Sequence, residues 1–152
     1  MVDRQSDANR KVRDVMIRDV VTVDSGTTLL EAAKKMRDAN IGMLPVTEAG
    51  VVRGIVTDRD LVIRAMANDV RPSEALVNEY VSEPPRCAEA DWALEDAMEE
   101  MANQHVGRLP VVDTGGAVVG VVTLSSLALR SAKREETLDT AQEVARRSER
   151  SA

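Results

Sequence analysis

Two polar side chains three residues apart, Thr57 and Asp60, follow an apolar run and are the first candidates for binding chemistry. The run 54–56 predicts a buried strand, and the residues after it predict the start of a helix. There the hydroxyl of Thr57 and the free N–H groups of the first helical turn could bind a phosphate. Asp60 could accept charge-assisted hydrogen bonds from sugar hydroxyls, although its charge would repel a phosphate. The pair also has the spacing of a helix capping box, so capping and binding both stay open.

The sequence contains an internal duplication with a period of about 65 residues. Residues 42–46 align with residues 107–111, and after one inserted residue the stretch 54–61 aligns with 120–127. Each copy has the pattern of a strand–helix–strand–strand–helix unit. Because one small sheet with one helical face cannot bury that face alone, we expect an α/β (α+β) fold of two units. These units would pack sheet to sheet around a pseudo-two-fold axis, with binding clefts between them.

The repeat and its flanks give the predicted domain organisation. Residues 1–11 are expected to be a flexible N-terminal arm, 12–67 the first repeat, 68–76 a connector and 77–130 the second repeat. In the first repeat the patterns predict a short helix near Val12, a strand over 20–23, a helix over 29–37, a hairpin of residues 43–46 and 51–56, and a second helix over 58–66. Residues 131–152 predict a charged C-terminal helix that packs on its own domain or on a dimer mate, with a docking tail as the alternative.

These residues resemble a known family, the cystathionine-β-synthase (CBS) domain pair, also called a Bateman module. The resemblance rests on the motif Gly-x-Leu-Pro-Val and, at a fixed distance from it, Gly-h-h-Thr-x-x-Asp, where h is an apolar residue. It covers about residues 12–130. The arrangement is similar to small stand-alone CBS-pair proteins of bacteria. It implies a regulatory adenosine-nucleotide sensor, usually a disc-shaped homodimer, that signals to an unknown effector protein by conformational or oligomeric change. A ligand-free dimeric scaffold or protein-interaction module with vestigial clefts is the alternative.

The resemblance also implies what the ligand would be and how the first strand-to-helix joint, the turn from Thr57 to Asp60, would hold it. The ligand would be AMP, ADP or ATP, with NAD or another adenosyl compound possible. Thr57 would bind the phosphate and Asp60 the ribose, while Arg108 would reach the phosphate from the second repeat. Arg108 could instead pair with a surface acid. Arg59 could also reach the phosphate or be an exposed residue at a helix start.

The second cleft follows from the same alignment, and the adenine pocket is an expectation for the adenosyl ligand that the resemblance implies. The second joint keeps Thr123 but has Ser126 where the first has its acid, and the uncharged Met43 stands where the first cleft would have its arginine. We therefore expect one competent cleft and one degenerate cleft in each chain. The adenine is expected between apolar walls that would be core residues in any case, namely Ile17, Val21, Ile41, Gly42 and Met43.

The composition excludes several other functions. A net charge of -6 argues against nucleic acid as a partner and gives no reason to expect an anionic membrane surface. The polar first residues, the single cysteine and the lack of any apolar run near roughly 18 residues indicate a cytoplasmic protein. No nucleophile with a positioned base, metal cluster or Walker-type loop is visible, so we expect neither an enzyme nor a catalytic cofactor.

Three single residues have competing interpretations. Cys87 is expected to be a small buried apolar residue, with a redox switch as the alternative. His105 is expected to interact with the dipole at the end of a helix, with a phosphate contact as the alternative. Trp92, at the start of the same helix, is expected in the core.

Overall fold

Each half of the chain forms a three-stranded sheet in the computed structural model, which describes residues 9–130 and 134–150. In chain order the elements are α1 (Val12–Val15), β1 (Val23–Asp24), α2 (Leu29–Ala39), β2 (Met43–Glu48), β3 (Val51–Thr57), a π-helical segment (Asp60–Ala65), two 3-10 turns (Met66–Asn68 and Val77–Glu79), β4 (Ala88–Glu89), α3 (Leu94–Gln104), β5 (Arg108–Val112), β6 (Val118–Thr123), α4 (Leu124–Arg130) and α5 (Arg134–Arg150). This order repeats strand–helix–strand–strand–helix twice, which confirms the predicted mixed α and β class.

The chain divides into two units. The first-repeat unit contains residues Val21–Arg86 and Gly115–Val118. The second-repeat unit contains Cys87–Thr114 together with the described residues up to Val20 and from Val119 onwards. The predicted linear boundaries follow the duplication in the sequence, whereas the units group stretches that are distant in the chain. Packing of the two sheets on each other stays a prediction.

The sheet of the first-repeat unit has the order β1-β2-β3. β1 runs parallel to β2, with Val23 opposite Val46, and β2 runs antiparallel to β3, with Met43 opposite Thr57. The strand predicted over 20–23 is therefore shorter and later than expected, because only Val23 and Asp24 reach β2. Helix α2 begins where Thr28 accepts a hydrogen bond from the N–H of Glu31, as a helix N-cap requires.

Each unit has its own aliphatic core. In the first-repeat unit, Leu29 and Met36 of α2 pack against Leu44 of β2 and Val56 of β3. The helical spacing of the α2 residues places them on one face of the helix, as the sequence predicts. The second-repeat unit builds its core from the aligned positions of α3, β5 and β6, together with Val12, Val15 and Met16, and Trp92 packs against this core as predicted.

A chain segment runs close beside the third strand of each sheet. Ile17 exchanges backbone hydrogen bonds of 2.8 and 2.9 Å with Val121 of β6 in the second-repeat unit. In the first-repeat unit the N–H of Ser82 donates to the carbonyl of Ile55 of β3 at 3.3 Å. A Cβ on Gly54 would lie 2.7 Å from the Ser82 carbonyl oxygen, so only glycine leaves room for this segment. Each sheet is therefore completed by a segment that the linear repeat assigns to the other copy.

Helix α5 packs against α3 and α4 of the second-repeat unit, and its Thr140 is buried. Of the two placements that the sequence left open, its own domain or a dimer mate, the described part of this helix has the first. Of the predicted N-terminal arm, residues 1–8 lie outside the described residues, as do 131–133 and 151–152. Within the described part of the chain, no helix has the length and apolar character needed to cross a membrane.

Candidate functional site

Thr57 and Asp60 lie where β3 ends and the following helical turn begins, and they are hydrogen-bonded to each other. The N–H and the hydroxyl of Thr57 each donate to Asp60 Oδ2 at 2.9 Å. In return Asp60 donates its N–H to Thr57 Oγ1 at 3.2 Å. These are the reciprocal bonds of a capping box, so the capping interpretation of the motif describes the structure. The hydroxyl proton of Thr57 is directed at the carboxylate, and a bound phosphate would have to draw it away.

The second oxygen of Asp60 faces a cation. Asp60 Oδ1 lies 3.4 Å from Nη1 of Arg64, which also donates to the carbonyl of Tyr80 at 2.8 Å. The guanidinium of Arg64 stands 5.5 Å from the centre of the Tyr80 ring, a cation–π distance. The Asp60 side chain is 17% exposed. Since a carboxylate oxygen accepts more than one hydrogen bond, Oδ1 can accept one ligand hydroxyl beside Arg64, and a second would replace the 3.4 Å contact with Arg64.

A second carboxylate, Asp58, lies at the same joint. Its N–H donates to the carbonyl of Gly42 at 3.0 Å, and its Oδ1 accepts from the N–H of Arg59 at 2.8 Å. A Cβ on Gly42 would be 2.7 Å from Asp58 Oδ2, so this carboxylate lies directly against the glycine. Sequence reasoning missed Asp58. The available signal was its alignment with Leu124, which shows a charge at the first joint that the second lacks.

The predicted adenine wall is brought together only in part. Met43 is buried opposite Thr57 in the sheet, and Gly42, which precedes it, contacts the joint through Asp58. Val21 and Ile41 are partly buried and pack on the core of the same unit. Ile17 belongs to the second-repeat unit and is 50% exposed. Its place in an adenine pocket stays a prediction.

The second joint has the same geometry without the charges. The N–H of Thr123 donates to Ser126 Oγ at 3.0 Å, and the N–H of Ser126 donates to Thr123 Oγ1 at 3.0 Å. Ser126 directs its own hydroxyl at the carbonyl of Thr123, at 2.9 Å. Leu124 donates to the carbonyl of Gly107 as Asp58 does to that of Gly42. The two joints are thus equivalent caps that differ in local charge.

Arg108 and Arg59 are the two candidate phosphate contacts. Arg108 is exposed at the first residue of β5, next to Gly107, in the second-repeat unit. Arg59 is exposed between the two acidic residues of the first joint. That either guanidinium reaches a phosphate bound at Thr57 stays a prediction.

The structure also places His105 and Cys87, which the sequence analysis singled out. His105 ends α3 with φ of 54°, and its Nδ1 lies 3.3 Å from Glu143 Oε1 of α5. Cys87 is half-buried just before β4, and burial raises the pKa of its thiol to about 11. Among residues 9–130 and 134–150, no group of three His, Cys, Asp or Glu side chains is arranged to hold a metal ion.

Comparison with known proteins agrees with the repeat. The family model described as CBS domain matches residues 12–66 and again 77–133. CBS domain-containing protein YhcV of Bacillus subtilis is 38% identical over 124 residues, covering 82% of this chain and 87% of that protein. Hypoxic response protein 1 of Mycobacterium tuberculosis is 32% identical over 117 residues, covering 76% and 81% of the two chains. The predicted resemblance to small stand-alone CBS-pair proteins of bacteria is confirmed.

Solved structures give the same result. A crystal structure of Hypoxic Response Protein I with two coordinated zinc ions matches with a TM-score of 0.73 and 30% identity, over 79% of this chain and 98% of that one. The CBS domain pair of protein MJ0100, in complex with 5′-methylthioadenosine and S-adenosyl-L-methionine, matches with a TM-score of 0.69 and 26% identity, over 79% and 94%.

Proposed function

Since this chain belongs to the CBS-domain family as a pair of such domains, we propose that it is a regulatory module that binds an adenosyl ligand. AMP, ADP, ATP and related adenosyl compounds are the candidate ligands. The two ligands of the MJ0100 domain pair, 5′-methylthioadenosine and S-adenosyl-L-methionine, support the choice of an adenosyl group. The proposed site is the first joint, with Asp60 as the ribose acceptor and Thr57 and Arg108 at the phosphate.

The observation that carries this proposal is the charge difference between two otherwise equivalent caps. Capping alone needs an oxygen acceptor, and Ser126 supplies one at the second joint with bonds of 3.0 Å. Asp60 supplies the same cap and adds a charged second oxygen, Oδ1, that the cap does not use, on a side chain that is 17% exposed. A ribose presents two hydroxyl donors, which a carboxylate accepts more strongly than a serine oxygen does.

The charges at the first joint favour ligands with few phosphates. Asp58 and Asp60 place two carboxylates within one helical turn, and Arg64 is already bonded to Tyr80. A bound triphosphate would lie close to this negative charge, and Arg59 and Arg108 are its proposed positively charged partners. We therefore rank 5′-methylthioadenosine and AMP above ATP as ligands, because like charges within a few ångström disfavour binding.

Binding would act by shifting the chain between two shapes or between two states of assembly. A ligand shifts such an equilibrium only by the difference in its affinity for the two states. The proposal involves no catalytic group. An unidentified effector protein would respond to the change of shape or assembly. The cytoplasmic location expected from the composition stays a prediction.

A second candidate function is that of a scaffold without a ligand. The bonds that satisfy Thr57 and Asp60 within the cap favour it, since neither group is left without a partner. Titration calorimetry distinguishes the two functions. We expect 5′-methylthioadenosine or AMP to bind the full chain at micromolar to millimolar concentration, and ATP to bind more weakly.

The matched variants for this titration are Asp58→Asn and Asp38→Asn. Asp58→Asn removes one negative charge from the joint and should tighten ATP binding about threefold to tenfold. Asp38→Asn makes the same charge change on an exposed residue of α2 that pairs with Arg37, and should leave ATP binding unchanged. If none of AMP, ATP, NAD or 5′-methylthioadenosine binds at millimolar concentration, the adenosyl sensor is refuted and the ligand-free scaffold is the function left.

A further inference from the structure

A cavity of about 300 Å³ lies within the second-repeat unit, at the opposite end of β6 from the joint of Thr123. Val119 of β6 lines it and precedes Thr123 by roughly 13 Å along the strand. The cavity opens beside the last residues of β4 and β5, which run parallel and end together at Glu89 and Val112. Ligands of α/β sheets commonly bind outside the carboxyl ends of parallel strands. The volume is at the lower end of the roughly 300–1,000 Å³ of ligand pockets, which suits a small molecule.

The floor of this cavity is apolar. Met16 is buried there, and Ala90 and Val119 are partly buried against the core of the unit. Val112, the last residue of β5, is also partly buried. Because removing apolar surface from water is favourable, this floor favours a ligand that has an aliphatic part of its own.

The rim of the cavity carries charges of both signs. Its two cations and three carboxylates are Arg13, Arg18, Glu89, Asp91 and Asp113. Arg13 and Asp91 form an ion pair with each other. Among the described residues, the Arg18 side chain gives one hydrogen bond, of 3.1 Å, to the carbonyl of Arg13, and neither Arg18 nor Glu89 forms an ion pair. A cation and an anion thus line one space without neutralising each other.

The aligned cavity of the first-repeat unit has a rim that its own residues satisfy. It is smaller, about 210 Å³, and Arg53 pairs there with Glu48 at 2.5 Å. The second-repeat unit has Val119 at the position of Arg53, which turns a charged wall into an apolar one. At the position of Arg18 the first-repeat cavity has Glu83. Of these two cavities, the one in the second-repeat unit therefore combines an apolar floor with a cation outside any ion pair of the described residues.

We propose that the second-repeat cavity binds a free amino acid with an aliphatic side chain. Such a ligand is a zwitterion: its carboxylate would accept from Arg18, whose planar fork suits a carboxylate, and its ammonium would donate to Glu89. Its side chain would contact the floor around Val119. A ligand with one charge would leave Arg18 or Glu89 without a partner, and the three carboxylates of the rim disfavour a simple anion. The proposal does not depend on an adenosyl ligand at Thr57.

Titration of the full chain with L-leucine, followed through its backbone amide NMR resonances, tests the proposal. L-Leucine should bind at micromolar to millimolar concentration and shift the resonances of Ala90 and Thr114, which line the cavity. 4-Methylpentanoate lacks the ammonium group and 3-methylbutylamine lacks the carboxylate. Each should bind about tenfold more weakly than L-leucine, because each loses a charge-assisted hydrogen bond. Glycine should also bind more weakly, because it has no side chain to contact the floor.

Matched variants separate this site from general charge effects. Arg18→Gln and Glu89→Gln should each weaken L-leucine binding about tenfold, because each removes one charged partner of the ligand. Arg37→Gln and Glu99→Gln make the same charge changes on exposed residues outside the lining, and should leave L-leucine binding unchanged. Val119→Arg copies the first-repeat cavity and should abolish binding, while an otherwise unchanged NMR spectrum shows that the chain is folded.

Three results would overturn the proposal. The first is the absence of resonance shifts at the cavity with L-leucine, L-valine and L-methionine at millimolar concentration. The second is binding of 4-methylpentanoate or 3-methylbutylamine as tight as that of L-leucine. The third is L-leucine binding that Arg18→Gln and Glu89→Gln leave unchanged.

Discussion

Replacing Asp60 with serine or with alanine separates the two roles of the first joint. Asp60→Ser copies the second joint, where Ser126 already caps the turn of Thr123 with bonds of 3.0 Å. Asp60→Ala removes the cap and the carboxylate together. If Asp60 both caps the turn and binds a ribose, serine should preserve stability and lose binding, whereas alanine should lose both.

The magnitudes follow from the bonds that Asp60 makes. Alanine removes two acceptor bonds at 2.9 Å to the N–H and hydroxyl of Thr57, which costs about 1–2 kcal/mol of unfolding free energy. The contact of Oδ1 with Arg64 at 3.4 Å adds little, because that guanidinium is half exposed. In a domain of this length such a loss lowers Tm by roughly 3–6 °C. Serine should cost about 0.5 kcal/mol, because it keeps one acceptor bond.

Urea denaturation and calorimetric titration with AMP measure the two effects on the same samples. Loss of charge-assisted bonds to two ribose hydroxyls should weaken binding about 10-fold to 100-fold in both variants. The dual role is refuted if Asp60→Ser binds AMP as the original chain does. It is equally refuted if serine destabilises the fold as much as alanine, because the second joint would then be a poor guide to the first.

Other regions of the chain give three further predictions. Gly54→Ala should lower the unfolding free energy by about 2–3 kcal/mol, because its Cβ would meet a backbone carbonyl at 2.7 Å. Gly42→Ala should cost less than about 1 kcal/mol, because its Cβ would meet only the movable carboxylate of Asp58. Equal losses in urea denaturation would contradict this. Alkylation of Cys87 by iodoacetamide at pH 8 should be about a hundredfold slower than for a thiol of pKa 9.0, and should rise with pH towards 11, since burial keeps the thiol protonated. A rate typical of an exposed thiol would contradict it. Deletion of residues 134–152 should lower the unfolding free energy by several kcal/mol, because it uncovers α3 and α4. An unchanged denaturation midpoint would show that α5 does not stabilise its unit.

The sequence predicted those features that depend on local pattern. The aligned stretches 42–46 and 107–111 gave the repeat, and the helical spacing of Leu29 and Met36 gave the buried face of α2. It missed the pairing of Ile17 with Val121 because a contact between residues so far apart leaves no local signal. It also placed the first strand too early, since strand propensity does not tell which of residues 20–24 reach a partner strand.

At the candidate site the sequence predicted which residues lie there better than it predicted their hydrogen bonds and contacts. Thr57 and Asp60 are adjacent as expected, but the pattern could not show that each is already bonded to the other. Asp58 was overlooked because its contact with Gly42 depends on how β2 lies beside the end of β3. The reach of Arg108 stays a prediction for a similar reason: it depends on packing between distant parts of the chain.

A crystal structure of the chain grown with AMP would test the central claim most directly. The account predicts both ribose hydroxyls within about 2.6–3.2 Å of the Asp60 carboxylate and the phosphate beside Thr57, with no ligand at Thr123. AMP bound only at the Thr123 joint, or no AMP at millimolar concentration, would contradict it.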